Sequence, residues 1–289
     1  MKLKIKAFAK INLMLDILGT LENGYHDLFM LMQSVGLYDV VELETNNSKK
    51  ITLACSEPDI PADETNIAHK AAVCFFEHVG VENPGLAISI EKNIPHAAGL
   101  AGGSADGAAV IVGLKTLFAP NMSDRELIEI CSRVGSDVPF CATGGTMIAQ
   151  GTGTTLTYMP QLSLPNVIIV KPDCSVSTGA AYAAFDTAEN IIHCDRGGMF
   201  RVVLNGDLNG VYRRVANTFE QFIDVPQRID IKAVMRRFGA KCSCMSGSGP
   251  SVFGIFEDAG AATRCLAELK KEFPNSFLVP SVPCGTALI

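Results

Sequence analysis

No apolar run in this chain approaches membrane-spanning length; the longest candidates are broken by Gly, Lys or Pro within a few residues. A basic excess is missing too. The formal net charge is −6 and the isoelectric point about 5.4, which argues against nucleic-acid binding, where a basic face is usual. The opening residues, Met1-Lys2-Leu3-Lys4-Ile5-Lys6, alternate and lack the apolar core of a signal peptide. Ten cysteines occur, but no Cys-x-x-Cys. Scattered among apolar neighbours, they read as reduced core thiols of a cytosolic protein rather than a disulfide framework. Cys242 and Cys244 form the one close pair, in a strand-like segment, which argues against a metal site. Two familiar nucleotide signatures are absent: neither Gly-x-x-x-x-Gly-Lys-Ser/Thr nor Gly-x-Gly-x-x-Gly occurs.

What is present is a sizeable core. The chain has 289 residues, enough for two ordinary domains, and 48% of them are hydrophobic. Its centre of interest is Pro95-His96-Ala97-Ala98-Gly99-Leu100-Ala101-Gly102-Gly103-Ser104-Ala105, which runs straight into the apolar segment 107–114. A loop of small residues feeding a helix N-terminus traps anions, because unpaired N–H groups and the positive end of the helix dipole converge there. Ser104 is a candidate helix cap, and its hydroxyl is also a candidate phosphate or metal ligand. His96 adds bulk to an otherwise small-residue loop.

Residues 3–17 alternate strictly and predict a half-buried antiparallel strand. Lys10 and Asn12 then point the same way. Lys10 is one of several lysines on that face, and the strand alone leaves its role open. Asn23-Gly24 predicts a tight turn, with Tyr25 and His26 just beyond it. Asn66 is placed to cap a helix that ends at Gly80. Ser123 and Glu126 form a capping box before a helix that stops at Gly135. Ser136 is placed to cap a further short helix, with Pro139 in its first turn. Asp137 is then a first-turn acid, a common structural device, yet its neighbours Val138, Phe140 and Cys141 are apolar.

The composition changes near Met159-Pro160 and Leu164-Pro165, which predicts domains of residues 1–160 and 161–289. In the second half, Val167–Val170 predicts a strand and Ser177-Thr178 starts a small-residue helix carrying Tyr182 and Phe185. A helix over 231–238 follows, then strands on either side of Ser246-Gly247-Ser248-Gly249-Pro250-Ser251. A helix over 258–273 and a closing strand over 277–282 complete the pattern. Strands and helices alternate irregularly, which favours α+β in both halves over a doubly wound sheet.

Taken together, these motifs resemble the GHMP kinases. Pro95-x-x-x-Gly99-Leu100-x-Gly102-Gly103-Ser104-Ala105 is similar to their central phosphate loop, and Ser246–Phe253 to their C-terminal glycine motif. Ala9-Lys10-Ile11-Asn12-Leu13, Asn23-Gly24-Tyr25-His26, Leu37-Tyr38-Asp39 and Gly135-Ser136-Asp137-Val138-Pro139-Phe140 narrow the resemblance to the branch acting on 4-diphosphocytidyl-2-C-methyl-D-erythritol. The match runs in register from about residue 5 to 260.

The resemblance implies a two-domain α+β kinase. Its N-terminal domain would be ribosomal-protein-S5-domain-2-like, its C-terminal domain a ferredoxin-like α/β plait, and its site would lie in the cleft between them. ATP would lie along Pro95–Ala105, with Asn66, Lys92 and Asn93 near the adenine. Asp137 would take the proton of the substrate hydroxyl, with Lys10 pairing with it and orienting that hydroxyl. Asn12 would help position the same group. Tyr25 and Tyr182 would sandwich the cytosine, with Phe185 as competitor for the second place, and His26 would read the base edge. Gly247 and Gly249 would line the substrate. Mg²⁺ is expected with ATP, Ser104 being the best protein ligand. The implied setting is a bacterial-type cytoplasm, or a processed plastid form, with no nucleic-acid or membrane partner, as a monomer or weak homodimer. Two other readings compete: another small-molecule kinase of the superfamily, and a non-catalytic ligand sensor. The first has no evident use for Gly-Tyr-His, and the second has none for Lys10 and Asp137.

Overall fold

The computed structural model describes residues 1–289. β1 (Lys2–Thr20) and β2 (His26–Thr45) form one long antiparallel hairpin. Its turn is the expected one: Gly24 sits at φ +79°, and Tyr25 N donates to Asn23 Oδ1 at 3.0 Å. β3 (Ile51–Cys55), α1 (Ile67–Val79) and β4 (Leu86–Glu91) follow, with β4 antiparallel to β2 and β3 parallel to β4. Three helices come next: α2 (Gly102–Phe118), α3 (Asp124–Val134) and α4 (Val138–Thr143). β5 (Thr146–Gly151) returns along β2, and β6 (Thr155–Tyr158) pairs with β5.

A second, four-stranded antiparallel sheet begins with β7 (Asn166–Val170). α5 (Thr178–Asp186), α6 (Arg196–Leu204) and α7 (Leu208–Tyr212) follow it. β8 (Ala216–Asn217) crosses back to pair in parallel with β1. α8 (Arg228–Arg237), β9 (Cys242–Met245), β10 (Val252–Phe256), α9 (Ala259–Leu269) and β11 (Ser276–Val279) complete the second layer, in strand order β11-β7-β10-β9. The last strand, β12 (Thr286–Leu288), returns to the first sheet beside β1.

The first strand departs from its predicted half-burial. From Ala7 to Ile17 every residue is buried, including Lys10, Asn12 and Asp16. α2 covers one face of this sheet, and the second half of the chain closes on the strand from the other side. The register shifts at Phe8/Ala9, Asn12/Met14 and Ile17/Gly19, so bulges interrupt the strict alternation. Each large apolar side chain buried here, such as Ile5, Ile11 or Leu13, contributes roughly 1.5–3 kcal/mol to folding.

The second sheet is buried on both faces. Val167 and Ile169 face the shared core, whereas Ile168 and Val170 pack with Ile231 and Met235 of α8 and with Ala262, Cys265 and Leu269 of α9. That period of two is what a covered strand requires.

Two capping expectations need correction. Ser104 does not cap α2. Ala101 holds the cap position in the left-handed region at φ +59°, and Ser104 is the third helical residue. Ser136 does not cap α4; Asp137 itself occupies that position and makes no side-chain cap bond. Its carboxylate is thereby left for other contacts. The Asn66 cap and the Ser123–Glu126 capping box form as expected.

Candidate active site

β1 supplies the centre of the site. Lys10 is 5% exposed at its side chain, with Nζ 2.7 Å from Asn12 Oδ1 and 3.6 Å from Asp137 Oδ2. Asp137 reaches it from the start of α4, with its carboxylate 31% exposed and so open to a ligand. Strand pleating puts Lys10 and Asn12 on one side, and the short α4 brings the acid to meet them.

Asn12 is held from several sides within the protein. Its Oδ1 accepts from both Lys10 Nζ and Gly247 N, the latter at 3.0 Å, and its Nδ2 points at Met30 Sδ, 3.3 Å away. The residue is fully buried. It therefore orients Lys10 and anchors the second glycine motif. From its backbone a relay runs on: Asn12 N donates to Ser246 Oγ at 3.3 Å, and Ser246 Oγ donates to Gly99 O at 2.9 Å.

The two glycine motifs thus press together. Gly99 sits at φ +73°, and a Cβ there would fall 2.2 Å from Ser246 O, so no larger residue fits. A Cβ on Gly247 would lie 3.5 Å from Lys10 Nζ, which places that motif beside the catalytic candidate. Asn217 Nδ2 ties the motif down through Met245 O and Gly247 O, both at 2.8 Å. Lys10 N donates to Leu100 O at 3.1 Å and Ser251 N to Ala98 O at 3.3 Å, so the loop carbonyls are engaged from two sides. The N–H groups of Gly102, Gly103 and Ser104 have no acceptor within the protein, nor does the Ser104 hydroxyl. This is the donor set an oligophosphate requires at a helix N-terminus.

Beneath the loop lies an ion triad that sequence reasoning missed. Lys92 Nζ pairs with Asp39 Oδ2, and with Asp106 Oδ2 at 2.7 Å; all three side chains are buried. Asp39 Oδ1 also accepts from Asn93 N at 2.6 Å and Ile94 N at 2.8 Å. Lys92 precedes the loop and Asp106 follows it, so the triad staples both ends of the loop to β2. Burial would lower the Lys92 value, but Asp106 and Asp39 together raise it above the usual lysine range. Burial also drives the Asp106 carboxyl well above the usual carboxylate range despite the pull of Lys92, and its Oδ1 has no partner. Asp39 accepts from two backbone N–H groups as well as from the ammonium, whereas Asp106 has the ammonium alone.

The side chains expected near the adenine also have partners within the protein. Lys92 is committed to the triad. Asn66 uses both amide atoms, accepting from Ala68 N at 2.9 Å and donating to Pro61 O at 2.7 Å. Asn93 is exposed, with Nδ2 donating to Tyr38 O at 3.2 Å. The signals for the triad were an aspartate inside an apolar helix and Asp39 in its short motif, both unexplained by local structure.

Around His26 the aromatic residues gather. Its ring stacks on Tyr182 at 4.3 Å and 17°, and meets Phe185 edge-on at 5.5 Å. Tyr25 is exposed on the turn, Tyr182 half-buried and Phe185 buried. Burial pushes the Tyr182 phenol up to about 12, and the Asp137 carboxylate adds to the rise. Thr178 Oγ1 lies 3.1 Å from Ser248 Oγ, which moors α5 to the second glycine motif.

A donor-lined loop, a lysine–aspartate pair beside it and a second glycine motif pressed against the loop define a GHMP kinase, an ATP-dependent small-molecule kinase. The family described as GHMP kinases N terminal domain matches residues 66–145, and GHMP kinases C terminal matches residues 213–275. Similarity extends over almost the whole chain. It is 39% identical over 282 residues, 97% of this chain and all of its relative, to a 4-diphosphocytidyl-2-C-methyl-D-erythritol kinase of Clostridium beijerinckii. A kinase of the same name from Clostridium perfringens is 40% identical over 276 residues, 95% of this chain and 96% of that one. The crystal structure of a 4-(cytidine 5'-diphospho)-2C-methyl-D-erythritol kinase superposes with a TM-score of 0.79 at 27% identity, covering 97% of this chain and 99% of the other. The chain belongs to the 4-diphosphocytidyl-2-C-methyl-D-erythritol kinase family.

Proposed function

We propose that this protein transfers the γ-phosphoryl group of ATP to the 2-hydroxyl of 4-diphosphocytidyl-2-C-methyl-D-erythritol, a step of non-mevalonate isoprenoid biosynthesis. The observation that carries the mechanism is the Lys10–Asp137 pair, 3.6 Å apart, beside Gly247 and the free N–H groups of the loop. Asp137 Oδ2 accepts the hydroxyl proton as the oxygen attacks phosphorus. Lys10, oriented by Asn12, holds the carboxylate and the hydroxyl in place. The loop from Pro95 to Ala105 binds the phosphates through backbone N–H groups. Phosphoryl transfer depends mainly on such positioning and on charge neutralisation, and a positioned base contributes ~10²–10⁴-fold.

Mg²⁺ arriving with ATP would supply charge neutralisation on the phosphates. Ser104, with its hydroxyl uncommitted, is the residue that would hold it, and the other ligands would be phosphate and water. Tyr25 and Tyr182 hold the cytosine, and His26 reads its edge. Gly247 and Gly249 form the adjoining wall. A division into residues 1–160 and 161–289 accompanies this reading. The separate second sheet supports it, although β8 and β12 return to the first sheet. No helix is long and apolar enough to cross a membrane. A cytoplasmic location accompanies the use of ATP as donor.

The test is coupled ADP release with ATP against 4-diphosphocytidyl-2-C-methyl-D-erythritol, mevalonate, galactose and homoserine. Turnover only with the cytidylated alcohol is expected. Turnover with mevalonate but not with the cytidylated compound would overturn the substrate assignment.

A further inference from the structure

His26 opens β2 and pairs across the hairpin with Thr20, the last residue of β1. Its imidazole is held on three sides. One face lies on Tyr182, an edge meets Phe185, and Nε2 lies 2.8 Å from Asp186 Oδ1. The same Asp186 Oδ1 accepts from Thr20 Oγ1 at 3.1 Å. Asp186 is the last residue of α5, one position past Phe185. One short helix therefore carries both the aromatic walls and the acceptor that grips the imidazole. The bond from His26 holds the Asp186 carboxyl below the usual carboxylate range, so it is a carboxylate that faces Nε2.

A carboxylate offers only lone pairs, so the nitrogen facing it must carry a proton. With Nε2 as donor, Nδ1 of the neutral ring is an acceptor. Nδ1 makes no hydrogen bond within the protein. Cytosine and uracil differ most at position 4, where cytosine presents an amino donor and uracil a carbonyl acceptor. An acceptor at Nδ1 pairs with the amino group and opposes the carbonyl. Uracil's only ring donor lies one atom away, and meeting it would require the base to slide between its aromatic walls.

We propose that Asp186 is a positioning residue for base selection: by accepting from Nε2 it fixes His26 with Nδ1 as a hydrogen-bond acceptor, so that the site takes cytidine and refuses uridine nucleotides. This rests on the reading of His26 as the residue that meets the base. The chemistry gives discrimination, because a site built to accept a hydrogen bond strongly disfavours a ligand that presents another acceptor. Asp186 is 45% exposed at its side chain and lies on the rim, so its substitution leaves the core intact.

The experiment has two arms. In the first, ¹⁵N NMR of the ligand-free enzyme reads the His26 ring nitrogens, with Nδ1 expected to be unprotonated in the wild type. In Asp186→Asn the Nδ1–H form should become populated, since an amide can donate to Nε2 as well as accept from it. In the second arm, ADP-release kinetics compare the 4-diphosphocytidyl and 4-diphosphouridyl forms of the methylerythritol. Asp186→Asn should lower the cytidine-to-uridine ratio of kcat/KM by about tenfold, through KM, with kcat and the KM for ATP unchanged. A proton on Nδ1 in the wild type, or an unchanged ratio in Asp186→Asn, overturns the proposal. His26→Ala separates the two levels. If it abolishes discrimination while Asp186→Asn does not, the base-reading role of His26 stands and the role of Asp186 fails. If neither variant moves the ratio, both fail.

Discussion

Lys10 Nζ lies 3.6 Å from Asp137 Oδ2, although 127 residues separate them in the chain (137 − 10). The lysine is buried and the aspartate is partly open, so the pair presents its acidic end to the site. Because Lys10 is also bonded to Asn12 Oδ1, its ammonium has little freedom to move with the ligand.

Asp137→Asn should keep the fold and nucleotide binding, since the side chain makes no cap bond to α4. It removes the proton acceptor, and kcat should fall ~10²–10⁴-fold. Steady-state kinetics, with circular dichroism as the control for folding, check this. Turnover near the wild-type rate would remove Asp137 from the mechanism.

Asn12→Ala should act through Lys10 and Gly247, whose donors both lose their acceptor. Leaving buried donors unpaired costs about 1–3 kcal/mol each. Thermal melting should show the destabilisation, and kcat should drop while the KM for the alcohol changes little. A large rise in that KM with kcat preserved would instead mark Asn12 as a direct substrate contact.

Lys92→Met leaves Asp39 and Asp106 buried beside each other without their cation. Removing one partner of a buried pair costs about 3–5 kcal/mol, and chemical denaturation should report a loss of that size. Phosphate affinity should weaken as well, because both ends of the loop are released.

Asp106→Asn should behave in the opposite sense and depend on pH. Burial holds the folded-state carboxyl well above its ordinary value. A proton bound more tightly when folded stabilises the protein fully below the unfolded value, about 3.9, and that contribution is lost as pH rises through the folded value. The asparagine cannot ionise. The gap between its melting temperature and the wild type's, variant minus wild type, should be larger at pH 8 than near pH 4. A gap that widens on acidification would show that Asp106 is held as a carboxylate.

Tyr182→Ala and Tyr25→Ala should each raise the KM for the cytidylated alcohol and leave that for ATP nearly unchanged. Stacking on a base contributes about 1–3 kcal/mol. Loss of Tyr182 also frees the His26 ring, so its effect should be the larger. Equal changes in both KM values would place these rings elsewhere.

Local chemistry made much of this protein legible from its amino-acid sequence. The small-residue loop before an apolar helix, the Asn23-Gly24 turn, the Asn66 cap and the Ser123–Glu126 box depend on residues close in the chain, and each formed. The motifs were specific enough to point to the kinase family, and the α+β class followed from irregular alternation. Long-range placement lay beyond that reach. Strict alternation from Leu3 to Ile17 looked like a strand with one wet face. Only the closure of the second half of the chain over β1 buried Lys10, Asn12 and Asp16, and burial changed what they do. Asn12 became an anchor because Gly247, 235 residues away, brought it a second donor. Lys92 joins a triad because Asp39 and Asp106 converge beneath the loop. A buried charge must find its partners wherever the fold brings them, and that pairing is set by three-dimensional packing.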